Sequence, residues 1–548
     1  MTELVLQENN IASCVLARDL LGELFEGYEV IEKIIKRGGN AMKKLVSMIL
    51  MLAMCMTLLS GCVFAGKEAD DTGGKIDNPS STATPDGNNS TTTPGGEQGT
   101  DSALPPMTTE PITLTYFNFD SEVLTQKLAE KFMEKYPNIK VNVVYVNVAD
   151  ANTTLLNLIA ANNTPDCFMY SDSDFALSNH LLYDMTELWE ADPENQNVLP
   201  TINDVKIGYY DTNQKWGTPM KFFPGIVYVD KGVLETLNID MPRMDWTWDE
   251  MIKLIQESTD LTQTPAYYGL GAYNRLDSLY GIAASQKIRG EFGWDGQSFD
   301  LGVWAVGEQQ FADLKLNNYV APNTETAKME KWLGDWEAWA GASGRVAVMT
   351  EAYWTYMNIW DTDAFKDLGI DFVPYVIPSV EDVDGVPNSI ATLDMGGISA
   401  GTKYPREAYE LLKFMGWGAE GWQAKLDIYY NQSITNAAGD PLIRDSMPAP
   451  ITLDESVWSR YKALYPTDSE RKPYWDAYFA SCIRPIPFGW MSIAGYWTFC
   501  TEYFNNIGIH NLVDTGQAKA SDYAEEATKM ANQYHKEAMK AYFGIDLP

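Results

Sequence analysis

Histidine is nearly missing from this 548-residue chain, which has three, His180, His510 and His535, far apart in sequence. That scarcity excludes a histidine-rich metal centre. Basic residues are also few, 40 Lys+Arg against 75 Asp+Glu, for a formal net charge of −35. An acidic chain with no basic run repels phosphate backbones, so a free-standing nucleic-acid binder is excluded. The six cysteines (Cys14, Cys55, Cys62, Cys167, Cys482, Cys500) show no C-x-x-C spacing and are too few for a disulfide scaffold. Neither H-E-x-x-H nor G-x-x-x-x-G-K-[ST] occurs, and Asp361-Thr-Asp363 lacks the rest of a calcium loop. What the chain does have is 45% hydrophobic content, 12% aromatics and 17 Trp. Its length suits two to four domains, each with a core of its own.

The N-terminal part reads as processing signals. Met42-Lys43-Lys44 precedes an apolar run, Leu45 to Leu59, and then Leu59-Ser60-Gly61-Cys62. The run is too short for a spanning helix of about 20 residues and fits the h-region of a signal peptide. L-S-G-C resembles a bacterial lipobox, which makes Cys62 the expected lipidated first residue of the mature protein. Residues 1–41 read as an extension upstream of the true start, and 42–61 as the signal peptide. Residues 62–111, dominated by Gly, Ser, Thr, Pro, Asn and Asp, cannot bury enough apolar surface to offset chain entropy and are expected to form a disordered tether. Removing residues 1–61 leaves the mature charge almost unchanged, so the acidity belongs to the exported body.

That body is expected to be α/β. Ile112–Phe119 alternates like a strand; Leu124, Leu128 and Phe132 mark one face of a helix that stops near Tyr136-Pro-Asn138; Ile139–Val146 is a second strand. The order β-α-β predicts a parallel pair. Cys167–Tyr170 reads as a short buried strand, and Tyr183–Trp189 opens a helical segment. Thr247-Trp-Asp-Glu250 has capping-box spacing for a helix to about Ser258, and Tyr523, Ala527, Met530 and Tyr534 stripe a final helix.

Several pieces then occur in order: Tyr136-Pro-Asn-Ile-Lys-Val; Trp216-Gly-Thr-Pro; Gly225-Ile-Val-Tyr-Val-Asp230; Thr247-Trp-Asp-Glu-Met251; Gly344-Arg-Val-Ala-Val-Met349 leading to Trp354; Gly396-Gly-Ile-Ser; and Ala408-Tyr-Glu-Leu-Leu-Lys-Phe414. Together, behind a lipobox, they resemble the family 1 extracellular solute-binding proteins, the maltose-binding-protein-like lipoproteins of carbohydrate ABC importers, across 112–548. The resemblance implies a two-lobed periplasmic-binding-protein type II fold whose lobes are joined by crossing hinge strands. The crossings fall near Phe223-Pro-Gly225, Asn388–Ala391 and Asn436, so 112–224 with 390–436 form lobe 1, and 225–389 with 437–548 form lobe 2. It implies a carbohydrate ligand, an oligosaccharide in the first instance, and ABC permease subunits as partners. It also implies a monomer anchored through Cys62 on the extracytoplasmic face, without catalysis, metal or cofactor. Two departures stand out: the family's Tyr-Asn after the first crossing is Tyr228-Val-Asp230 here, and 441–500 is unusually rich in aromatics and Pro.

Sugars need carboxylates, amides or cations for their hydroxyls and aromatic faces for their C–H patches. In open α/β sheets these gather at the carboxyl ends of strands. The ligand-binding set expected here is Asn118, Asp120, Ser171, Asp172, Lys221, Phe222, Tyr353, Trp354, Asp394, Arg484 and Trp490. Alternatives stand beside it. Asp120 or Ser121 suits a helix cap, and Asp172 and Asp174 suit a solvated turn. Trp246 and Trp248 read as packing residues, and Arg484, Trp490, Tyr496 and Trp497 either line the cleft or pack lobe 2. Cys482 and Cys500 either pair or stay as thiols. A secreted glycoside hydrolase with paired carboxylates is the alternative function, since it needs no motif.

Overall fold

The computed structural model describes residues 104–170, 172–203, 214–272, 275–284, 292–321, 343–352, 366–367, 369–380, 389–436, 439, 441–442, 447–465, 470–483, 485–487 and 493–548. The expected upstream extension, signal peptide and lipidated Cys62 lie outside them, as do residues 63–103 of the tether. The tether ends earlier than expected. Leu104 and Met107 pack against the core, Thr108 N–H donates to Glu407 and Arg406 donates to the Pro105 carbonyl, so 104–111 belong to the folded body.

Among the described residues nine strands form one sheet, β1 (Ile112–Asn118), β2 (Ile139–Tyr145), β3 (Cys167–Tyr170), β4 (Thr218–Asp230), β5 (Tyr268–Ala272), β6 (Val346–Ala352), β7 (Phe372–Tyr375), β8 (Ser389–Ile398) and β9 (Pro485–Pro487). Their order is β2-β1-β3-β8-β4-β6-β5, with β7 on β4 and β9 on β8. The predicted β-α-β opening is present, β1 running parallel to both β2 and β3. Its helix, Glu122–Lys135, starts at Ser121, whose Oγ accepts from Leu124 N–H, and buries Leu124, Leu128 and Phe132. Each such side chain contributes roughly 1.5–3 kcal/mol on leaving water.

Two strands join the halves of the sheet. The first part of β4 pairs antiparallel with β8 and, from Gly225 on, β4 pairs with β6 and β7. The Met395–Ile398 end of β8 pairs with β3. The changeover in pairing on β4 falls at Gly225. Packing is close at the end of β8: a Cβ on Gly396 would sit 2.5 Å from Met220 Cγ, and one on Gly397 2.3 Å from Leu182 Cδ2, so either would force those side chains to move. Beyond Asn436, where the last crossing was expected, the chain still packs on the first half. Thr452 bridges to Val198, and helix Glu455–Lys462 lies against helix Ala419–Tyr430 through Arg460 to Asp427. Helix Lys472–Ser481 is the next to reach the second half, packing on β7.

Helix Trp248–Glu257 carries the predicted capping box, Thr247 Oγ1 accepting from Glu250 N–H at 3.3 Å and Glu250 Oε2 from Thr247 N–H at 2.7 Å. Trp246 and Trp248 are buried, as packing residues should be. A second core gathers Phe292, Trp294, Phe299 and Trp304 with Tyr496, Phe499, Phe504 and Ala527, docking the C-terminal helices on helix Leu301–Leu316. Tyr496 is thus a packing residue. Cys167, Cys482 and Cys500 are free thiols, so Cys482 and Cys500 do not pair.

Candidate binding site

The register of the joining strands sets Lys221 of β4 opposite Asp394 of β8, just after a local shift between Pro219 and Lys221. Lys221 Nζ lies 3.0 Å from Asp394 Oδ2 and 3.3 Å from Asp120 Oδ1, so one ammonium bridges two carboxylates where the halves of the sheet meet. The lysine side chain is 10% exposed, Asp120 19% and Asp394 17%. Burial by itself would lower the lysine's pKa, but the charges of Asp120 and Asp394 outweigh it and hold the ammonium above the ordinary range. Each carboxylate offers about four lone-pair directions, so both keep acceptor capacity toward the side that remains open.

The turn after β1 is built around this bridge. Asn118 Oδ1 accepts from Asp120 N–H at 3.1 Å and from Thr125 Oγ1 at 3.3 Å, and Asp120 Oδ1 also accepts from Ser121 N–H at 2.7 Å. The helix cap therefore falls to Ser121, leaving Asp120 to Lys221. Phe119 and Phe223 flank the ammonium, their ring centres 5.8 and 5.4 Å from Nζ. Alternation along β4 sends Phe222 to the opposite face, where it is fully buried, so its expected ligand contact is withdrawn. Asn118 is likewise fully buried, a scaffold for the turn with an unpartnered Nδ2.

Asp172 caps helix Ser173–Ser178, accepting from Phe175 N–H at 3.1 Å, and burial raises its pKa. Asp174 is buried, which overturns the solvated turn, and burial pushes its pKa up to about 6. Ser171, Tyr353, Trp354, Arg484 and Trp490 lie outside the described residues. Sequence reasoning missed Phe119 and Lys425. Lys425, fully buried on helix Ala419–Tyr430, sits 4.2 Å over the Trp422 ring and donates to the Met415 carbonyl at 3.3 Å. Burial brings its pKa down to about 8, Asp120 partly opposing and Lys221 adding to the fall.

Two other clusters have structural explanations. Arg275 bonds Asp514 through both terminal nitrogens, Glu308 at 2.6 Å and Asp277 at 3.2 Å, while Trp304 donates to Asp277 and His510 meets Glu308. The ligand atoms of Asp277, Glu308 and His510 converge, yet these bonds already engage them, and the cluster ties three helices together. Gly397-Ile-Ser-Ala-Gly401 has the G-x-S-x-G spacing of a hydrolase elbow, which sequence reasoning also missed. Ser399 is buried at the end of β8 with its hydroxyl given to the Pro165 carbonyl, not presented as a nucleophile.

A sheet in two halves joined by β4 and β8, with charged groups at the junction, defines a two-lobed binding protein of the type II periplasmic class. Residues 120–416, more than half of the chain, match the model of the bacterial extracellular solute-binding proteins, and the chain belongs to that family. Among relatives, it is 24% identical over 320 residues, 56% of this chain and 71% of the other, to the multiple sugar-binding protein of Streptococcus mutans. Among solved structures it resembles an ABC substrate-binding protein from Listeria monocytogenes in complex with cycloalternan (TM-score 0.55, 16% identity, 77% of this chain and 98% of that one). It also resembles an ABC transporter solute-binding protein from Thermotoga lettingae bound with α-D-tagatose (TM-score 0.54, 16% identity, 77% and 99%). At such identities the structural likeness establishes the fold and leaves the ligand open.

Proposed function

We propose that the protein is an extracytoplasmic receptor, lipid-anchored through Cys62, that captures a carbohydrate, an oligosaccharide in the first instance, between its lobes and hands it to an ABC permease without chemical change. The observation that carries this reading is the Asp120–Lys221–Asp394 bridge. It holds two mostly buried acceptors, each with an exposed edge, beside the Phe119 ring at the point where both lobes meet. Hydroxyls of a sugar donate to the two carboxylates while its C–H face covers the aromatic ring. Ligand contacts made with both lobes favour the closed form, which presents the surface a permease recognises. Lobe 1 comprises the β2-β1-β3 half and lobe 2 the β5-β6-β7 half. Trp354 supplies a stacking face from lobe 2 in this proposal, and Trp354→Ala weakens binding without unfolding the protein.

Thermal shift against a panel of mono- and oligosaccharides tests the reading, with reducing ends assayed in parallel. Saturable stabilisation without product is the expected result. Product accumulating with purified protein would replace it by a hydrolase, and no stabilisation by any sugar would remove it. Anchoring is checked separately: Cys62→Ser should move the protein from the detergent phase to the aqueous phase of a Triton X-114 partition.

A further inference from the structure

We propose that Asp174 is an interlobe latch, a lobe 1 carboxylate that holds the two lobes together before any ligand arrives. It stands on helix Ser173–Ser178, directly after β3, and this helix packs against both Tyr496–Phe499 and Ser521–Phe543. Ala176 and Leu177 of the same helix belong to the core of the sheet, whereas Phe499, Ala527 and Ala531 belong to the second core. Asp174 connects the two. Its Oδ1 accepts from Gly495 N–H at 2.8 Å, its Oδ2 lies 3.4 Å from Thr498 N and 3.5 Å from Thr498 Oγ1, and the Tyr542 hydroxyl hydrogen-bonds to it. These donors all come from the segment docked on helix Leu301–Leu316, more than 300 residues away in sequence.

The physical balance suits a latch better than a permanent clamp. A buried carboxylate is costly unless donors replace its water, and here the donors that replace it come from the other lobe. Separating the lobes removes those bonds and returns the carboxylate to water, so gain and loss nearly cancel. A contact of this kind biases a population of closed and open forms. The inference rests on the proposed lobe division and not on the identity of the ligand, so it can fail while sugar binding stands.

Distance measurement between spin labels in the ligand-free protein tests it. Labels are placed through Lys131→Cys on the first lobe and Lys529→Cys on the second, both on exposed helix faces, with Cys500→Ser in every variant to remove the half-buried thiol. Asp174→Asn should shift the distance distribution to longer values than its parent. Tyr542→Phe, which removes one donor and leaves Asp174 in place, should shift it in the same direction, and the double variant should open no further than Asp174→Asn alone. Tyr542→Phe keeps the test decisive if Asp174→Asn does not fold. Unchanged distances in the folded variants overturn the latch, including the case in which Asp174→Asn loses affinity for sugar while its ligand-free distances stay put, which would make Asp174 a ligand contact.

Discussion

Asp230→Asn should stabilise this protein, and increasingly so as pH rises. Asp230 ends β4 and caps helix Lys231–Leu237: its Oδ1 accepts from Gly232 N–H at 2.9 Å, Val233 N–H at 3.3 Å and Asp371 N–H at 3.1 Å. Its Oδ2 is buried without a partner. Burial outweighs those three bonds and pushes the carboxyl from the ordinary 3.8 up to about 7. The sign follows from linkage. An acid whose pKa is raised on folding contributes stability at low pH that is lost as pH climbs from the unfolded value toward the folded one. At about 1.4 kcal/mol per pH unit, the loss between 3.8 and 7 reaches roughly 4 kcal/mol as an upper bound. Asparagine keeps Oδ1 for the three N–H donors and carries no charge. At pH 4 it resembles the protonated acid, since each is then neutral and places a donor group beside the same neighbours. Urea unfolding of both proteins at a series of pH values isolates this residue, because all other titrations cancel in the difference. The two stabilities should coincide near pH 4, diverge in favour of asparagine up to pH 7, and run parallel above it. A variant less stable than the parent at pH 8 would refute the reasoning, showing that the three N–H donors keep Asp230 ionised. The outcome also bears on the departure from the family's usual Asn at this place.

Lys221→Met removes the cation between Asp120 and Asp394 and should cost about 3 kcal/mol by urea unfolding, since a mostly buried pair broken on one side leaves unpaired charge; a loss below 1 kcal/mol would show the bridge to be solvent-screened. Arg275→Leu should cost a similar amount at pH 7; in the parent, Arg275 and Lys315 hold the Asp514 carboxyl low despite its burial, a contribution that should persist at pH 4 and be lost only at lower pH, as Asp514 protonates. Thr247→Ala should cost about 1 kcal/mol through the capping box. Of the three thiols among the described residues, reagents should label Cys500 first in the native protein, and Cys167 and Cys482 after unfolding, because burial shields both and raises their pKa values.

Local signals in the sequence were legible because local chemistry decides them. The apolar spacing of Leu124, Leu128 and Phe132, the capping box at Thr247 and the β-α-β order each needed only neighbours within a few residues. The two-lobed class came through the resemblance. The site was half legible. Asp120 was named because it follows the end of β1, and Lys221 and Asp394 because they lie on the expected crossing strands, but their mutual pairing depends on the β4–β8 register, which a shift between Pro219 and Lys221 sets. Phe222 was misplaced for the same reason, since one step along a strand reverses the face. Lys425 was missed because a lysine within a mixed helix reads as solvated, and only tertiary packing of that helix on its neighbours buries it. Asp174 looked like a turn residue because its partners arrive from the far end of the chain.

Isothermal titration with the best-stabilising sugar of the panel, on the parent protein and on Asp120→Asn and Asp394→Asn, tests the central claim most directly. One site per chain is expected in the parent, with at least a tenfold loss of affinity in each variant, about 1.4 kcal/mol, the worth of a charge-assisted hydrogen bond. Parent-like affinity in both folded variants would contradict it and move the sugar away from the bridge.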